Sequence, residues 1–220
     1  MEIYNQLLRF PLFQGMSHAD LMEVVGHTKL GFLKIPAGKV YAKEGDSCHH
    51  LCFLTHGTMQ CETQNDDHTC RVVEHLAAPY LLQPEQLFGL SQRFTSNFKA
   101  ETPCNIITID KQEVLLLMET QLVFRLNFTN ILSTEIQRLR HQPWRSAPTG
   151  LRQWLVRYFL QRCLYPAGTK TFRVLMRQIA ADLNDSRLDI SQELNRMQAD
   201  GLLTLHRGRI EIPMIEKLLM

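Results

Sequence analysis

The sequence predicts an α+β chain: a β-rich front half, a long helix, and a C-terminal third with a helix-turn-helix and a hairpin. Three observations carry this. Short apolar runs between turn residues fill positions 32–109, and a stretch of more than thirty residues without Gly or Pro follows Asp110. The charge is also divided. Residues 1–134 hold 10 Lys+Arg against 14 Asp+Glu, a net of −4, and residues 135–220 hold 14 against 8, a net of +6. A basic end beside an acidic remainder is the balance of a nucleic-acid-binding part joined to another part.

At 220 residues, 45% hydrophobic and 21% charged, the chain has an ordinary globular composition and length for one large or two small domains. No apolar run approaches the ~18 residues of a membrane helix. The opening MEIYNQLLRFPLF lacks the basic start and apolar core of a secretory leader. A cytoplasmic protein with no membrane partner is expected. The six cysteines, at 48, 52, 61, 70, 104 and 163, form no CxxC pair and are expected to be reduced. Histidines lie near Cys48 and Cys52, but without metal-ligand spacing, so no metal site is expected. There is no nucleophile–base–orienter set and no P-loop, so no enzyme is expected.

The elements follow in order. MSHADLMEVV reads as a helix capped by Ser17. VYAKEG, HLCFLTHG, TMQCETQ and TCRVVEHL read as short strands, punctuated by Gly38, Gly45-Asp46, Gly57 and Asn65-Asp66-Asp67. Such spacing suggests a sandwich or roll. From Asp110 the pattern becomes helical. Phe124, Phe128, Leu132, Ile136 and Leu139 recur at three- and four-residue steps, which predicts a dimer seam along a long helix. HQPWRSAPTG breaks that helix, and LRQWLVRYFLQRC restarts one with Leu151, Leu155, Tyr158 and Phe159 on one face.

RVLMRQIAADL, residues 173–183, is a helical pattern with Leu175, Ile179 and Leu183 inward. Asn184 suits a left-handed helix end, and Ser186 with Asp189 suits the start of the next helix. On that second helix Ile190, Leu194 and Met197 form the inward stripe. Leu188, Gln192, Asn195 and Arg196 fall opposite, and Arg187 sits in the first turn. Arginine can take two hydrogen bonds from guanine and glutamine can do so with adenine, while an exposed leucine suits a thymine methyl. LLTLHRGRIEI then reads as a hairpin whose His206, Arg207 and Arg209 suit phosphate contacts. The expected partner is double-stranded DNA, met by Ser186, Arg187, Leu188, Gln192, Asn195, Arg196, His206, Arg207 and Arg209.

Over nearly its whole length the sequence resembles the Crp/Fnr family of bacterial transcription regulators. PLFQGMSHADL resembles that family's opening helix and PAGKVYAKEGDSCHHLCFLTHGTM its cyclic-nucleotide-binding β-roll. RQIAADLNDSRLDISQELNRMQADGLL is similar to its helix-turn-helix, the most specific of these matches. The resemblance implies a double-stranded β-helix (jelly-roll) sensor over 1–118, a dimerisation helix over 119–142, and a winged helix-turn-helix DNA-binding domain over 143–220. It implies a homodimer on a near-palindromic site, a small-molecule effector in the roll, and RNA polymerase as a further partner.

Two departures bear on function. Members that bind cyclic AMP carry Gly-Glu and, about ten residues on, Arg-Ser or Arg-Thr followed by Ala. Here Gln83-Pro84 stands where Gly-Glu is expected, and Phe94-Thr95-Ser96 where Arg-Ser-Ala is expected, with Glu85 and Arg93 one residue away. Pro84 has no N–H for an anion, and Gln83 lacks glycine's backbone freedom. The degenerate pocket of Gln83, Pro84, Glu85, Arg93, Phe94 and Thr95 therefore predicts no cyclic nucleotide bound in the usual way, and no cofactor. In the reading helix, Arg187, Leu188 and Gln192 replace Arg, Glu and Arg, which moves the preferred site off the usual one. Three alternatives stay open: a cassette rebuilt by a small shift, a signalling module that does not bind DNA, and redox or haem sensing by the roll's Cys and His residues.

Overall fold

The computed structural model describes residues 2–219, which form two compact units. Among the described residues the first comprises 2–59, 76–95 and 99–145, and the second 60–75, 96–98 and 146–219.

The first unit opens with α1 (Glu2–Leu7) and α2 (His18–His27). As the sequence predicts, Ser17 caps α2, its hydroxyl accepting the Asp20 N–H at 3.1 Å. The chain then forms β1 (Leu30–Ile35), β2 (Val40–Ala42), β3 (His50–His56), β4 (Thr58–Gln64), β5 (Cys70–Ala77), β6 (Tyr80–Leu82), β7 (Asn97–Ala100) and β8 (Cys104–Asp110). In this unit β1, β8, β3 and β6 make an antiparallel sheet in that order. Its core gathers Phe10, Phe13, Phe53, Ile107, Ile109, Val114, Phe124 and Phe128.

The Gly- and Pro-free stretch is two helices, α3 (Lys111–Thr120) and α4 (Leu122–His141). They part at Gln121, whose backbone is extended (φ −112°, ψ 96°). Its N–H closes α3 on Leu117 O and its C=O accepts from Arg125, so both of its own backbone groups are satisfied. Asn127 donates to Leu12 O and Gln14 O, at 3.1 and 2.8 Å.

The predicted seam needs correction. Phe124 and Phe128 are buried in their own unit, Leu132 is half-buried, and Ile136 and Leu139 are half-exposed. Each four-residue step turns ~400° on a helix, so the stripe drifts by ~40° per step, off one face and onto the next. The face left open carries Leu122, Leu126, Thr129, Ser133 and Ile136 at heptad spacing.

The second unit holds α5 (Leu151–Gln161), β9 (Lys170–Val174), α6 (Met176–Leu183), α7 (Arg187–Ala199), β10 (Thr204–His206) and β11 (Arg209–Ile212). Strands β10, β11, β9, β5 and β4 lie side by side in that order. β5 pairs with β9 over five residues, from Cys70↔Val174 to Glu74↔Lys170. The core packs Leu155, Tyr158 and Phe159 of α5 on Phe172, Ile179, Ile190, Leu194 and Met197, with Val72 joining from β5.

Within this core lies a charged pair that sequence pattern did not signal. Lys170 and Glu74, each 1% exposed, face each other with Nζ 2.9 Å from Oε1. The carboxylate also accepts the Leu164 and Tyr165 N–H groups at 2.9 and 3.1 Å. All three donors are satisfied inside the protein, as a buried charge requires.

Leu175 also differs from expectation. Arg173 and Val174 belong to β9, whose inward residues alternate as Lys170, Phe172 and Val174. Leu175 follows at the strand-to-helix junction, 47% exposed, and α6 starts only at Met176. Ile179 is buried as expected and Leu183 half-buried.

Candidate nucleic-acid interface

The joint between α6 and α7 is three residues long. Asn184 takes the left-handed conformation (φ 51°, ψ 48°), which asparagine tolerates better than most residues. The Asn184 and Asp185 N–H groups then close the last carbonyls of α6, on Ala181 and Ala180. Ser186 opens α7: its hydroxyl accepts the Asp189 N–H at 3.0 Å and donates to the Asp189 carboxylate at 2.6 Å. Its side chain is thus committed to setting the helix start, where Asp189 also meets the positive end of the helix.

Ile190, Leu194 and Met197 are fully buried, which fixes the rotation of α7. Leu188, Gln192 and Asn195 then project within an arc of ~60°, at ~100° per residue. Arg187 and Arg196 lie on opposite flanks of that arc. All five are exposed, Leu188 to 66%. The Asn195 amide donates to Ser191 O at 2.7 Å. Gln198, unassigned by the sequence, accepts the Leu205 N–H at 2.6 Å and ties α7 to the hairpin.

The hairpin β10–β11 turns at Arg207-Gly208, with Gly208 at φ 72°, a conformation that suits glycine. Here the three expected cations separate. His206 and Arg209 both lie 3.3 Å from the carboxylate of Glu211, which engages both side chains and offsets part of the arginine's charge. Arg207, at the turn, is exposed and engages no partner among the described residues.

Along one flank of α7 runs a groove lined by Arg152, Asp185, Asp189, Gln192, Glu193 and Arg196, among others. Glu193 is a nearly buried carboxylate, with Arg196 at 3.1 Å and Arg152 at 3.9 Å. Arg152 also meets Asp200 at 2.8 Å.

The cassette residues come together in the first unit. Gln83 is left-handed (φ 37°, ψ 58°). Gln83 thus takes a glycine-like backbone although it lacks glycine's freedom. The strain, of order ~1 kcal/mol or more for a non-glycine residue, is offset by its side chain. That side chain is 6% exposed and bonds Thr95 twice, donating to Oγ1 at 2.6 Å and accepting the backbone N–H at 3.0 Å. Arg93 donates to Gly45 O at 2.6 Å. Phe94 is buried, and its N–H is taken by Asp46 O. Pro84 is half-buried; Glu85 is exposed, yet the protein crowded around its carboxyl raises its pKa. The N–H groups of Phe94 and Thr95 are thus bonded internally.

All six cysteines are free and buried. Burial pushes the Cys52 thiol up to about 12, and Cys61 and Cys163 likewise. Such thiols are poor nucleophiles at neutral pH. Among the described residues no group of three or more His, Cys, Asp or Glu could hold a metal ion, and no helix is long and apolar enough to cross a membrane.

Residues 32–121 match the family model of the cyclic nucleotide-binding domain. No curated protein sequence matches the chain. Among solved structures, the catabolite activator protein of Thermus thermophilus is 16% identical with a TM-score of 0.53, covering 96% of both chains. The sensor domain of the transcriptional regulator DNR from Pseudomonas aeruginosa is 15% identical with a TM-score of 0.53, covering 69% of this chain and 100% of its own. CLP, a c-di-GMP responsive global regulator from Xanthomonas campestris, is 18% identical with a TM-score of 0.50, covering 89% of this chain and 99% of its own. These likenesses show a shared fold. Together with the domain match they support the Crp/Fnr resemblance, and two of these neighbours are named as regulators.

Proposed function

We propose that this chain is a homodimeric, DNA-binding transcription regulator of the Crp/Fnr type, working in the cytoplasm. In this reading α6, α7 and the β10–β11 hairpin are a winged helix-turn-helix. The observation that carries it is the surface of α7. A serine-capped helix, its rotation fixed by three buried residues, holds Arg187, Leu188, Gln192 and Asn195 outward. Guanine, thymine and adenine edges in a major groove are what such side chains recognise. Arg207 at the wing adds a backbone contact. The partner copy covers the open face of α4 along Leu122, Leu126 and Ile136, and RNA polymerase is a further contact.

The roll of this regulator does not take cyclic AMP in the usual manner. An anion cradle needs free N–H donors, whereas Gln83 already occupies that of Thr95 and Asp46 that of Phe94. Its effector is another small molecule, or it has none.

Selection from random duplexes, followed by binding to the selected site across a salt series, tests the DNA reading. A regulator loses affinity steeply, with a slope of about −0.9 per phosphate neutralised. A flat or absent response overturns DNA binding and leaves a signalling module. Calorimetric titration with millimolar cyclic AMP and cyclic GMP tests the cassette. Absence of heat agrees with the occupied cradle, whereas one-to-one binding shows that Glu85 and Arg93 rebuild it.

A further inference from the structure

Four charged groups alternate along one side of α7. Arg196 meets Glu193 at 3.1 Å, Glu193 faces Arg152 at 3.9 Å, and Arg152 meets Asp200 at 2.8 Å. The four differ in burial. The Glu193 side chain is only 11% exposed, against 45% for Arg152, 50% for Asp200 and 70% for Arg196. Arg196 is on the flank of the reading arc, where a guanidinium meets backbone phosphate more readily than a base edge. In this structure, however, it points to Glu193.

A nearly buried carboxylate cannot give up its cation at little cost, because too little water reaches it to compensate. Arg196 can turn outward only if another positive charge takes its place. Arg152, on a different helix and already within 4 Å of the carboxylate, is such a charge. Asp200 keeps it close without burying it. The groove that Arg152, Glu193 and Arg196 line leaves side chains room to move.

We infer that Arg152 and Glu193 form a charge-exchange pair controlling Arg196: as Arg196 swings from Glu193 to a DNA phosphate, Arg152 closes on Glu193. Arg152 is thus a positioning residue for DNA binding although it is on neither helix of the helix-turn-helix. The inference rests on the DNA-binding reading above.

The test is binding of the full chain to its selected duplex over a salt series, with all variants checked for unchanged thermal unfolding. Arg196→Met removes the phosphate contact, so the slope falls by about 0.9 and affinity drops on the order of 5-fold at moderate salt. Arg152→Met has the same effect, because Arg196 is then retained by Glu193. In a Glu193→Gln background Arg152→Met costs nothing measurable, since no charge remains to compensate. Glu193→Gln alone binds more tightly with an unchanged slope. Equal losses on Arg152→Met in both backgrounds, or an unchanged slope in the Arg152→Met chain, overturn the exchange while DNA binding stands. Failure of the unsubstituted chain to bind any duplex overturns the DNA-binding reading and the exchange with it.

Discussion

Removing Lys170 should destabilise the second unit more than any surface change. In Lys170→Met the side-chain volume is nearly kept, but the Glu74 carboxylate, 1% exposed, loses the cation that faces it. Breaking a buried pair this way costs about 3–5 kcal/mol. Two backbone donors, Leu164 and Tyr165, still solvate the carboxylate, which places the expected loss at the lower end, ~3 kcal/mol. At a urea slope of ~2 kcal/mol/M, that lowers the unfolding midpoint by about 1.5 M. Trp154 in α5, 43% exposed, provides the fluorescence signal within the same unit. The double variant Glu74→Gln/Lys170→Met is the decisive comparison. It leaves no charge, and the glutamine carbonyl remains an acceptor for the two N–H groups. Its midpoint should return to within ~1 kcal/mol of the parent, because an uncharged replacement of a buried pair is often neutral. If Lys170→Met shifts the midpoint by less than ~0.5 kcal/mol, or if the double variant is no better than the single, the charge argument is wrong.

Further outcomes are expected. Leu126→Glu, on the exposed face of α4, should yield folded monomers in sedimentation, whereas Phe128→Ala, fully packed, should cost about 3–5 kcal/mol in an unfolding assay. Arg187→Ala should weaken specific binding by about 1–3 kcal/mol and relax one position of the selected site, while Arg207→Ala should weaken all sequences alike and lower the salt slope; repeating the duplex selection and salt series distinguishes them. The folded chain at pH 8 should react with an alkylating thiol reagent far more slowly than the unfolded chain, in which all six cysteines become available. Because burial raises these thiols above the ordinary value of 9.0, the unfolded chain releases protons that the folded one keeps as pH climbs past about 9. Stability should therefore fall from there upward, and midpoints measured at pH 8 and pH 10 would check it.

Features that depend on near neighbours in sequence were legible. Ser17 and Ser186 each sit three residues before an acid at the start of an apolar periodicity, and both cap helices as expected. The Asn184 turn and the Arg207-Gly208 hairpin followed from the few conformations that their residues favour. Ile190, Leu194 and Met197 fixed the inward face of α7, and with it the outward set. Leu175 failed for a local reason too. A helical period through residues 173–175 crosses the end of a segment where the alternation of Lys170, Phe172 and Val174 has period two.

The rest was hidden because periodicity says which way a side chain points but not what it meets. Glu74 and Lys170 are ninety-six positions apart, and neither stands out in its own segment. Only their cross-strand register brings them together. Glu211 lies in the same hairpin as His206 and Arg209, and its pairing with them divides three expected phosphate contacts into one open and two engaged. The seam on α4 is the sharpest instance. Steps of four look like a stripe on paper, but each advances ~40° around a helix, and over Phe124 to Ile136 the accumulated turn is ~120°. That is enough to carry one apolar series from a unit's own core to its surface. A charge at Phe128 would thus break the fold before it could report on a dimer, and a charge at Leu126 is what tests the interface.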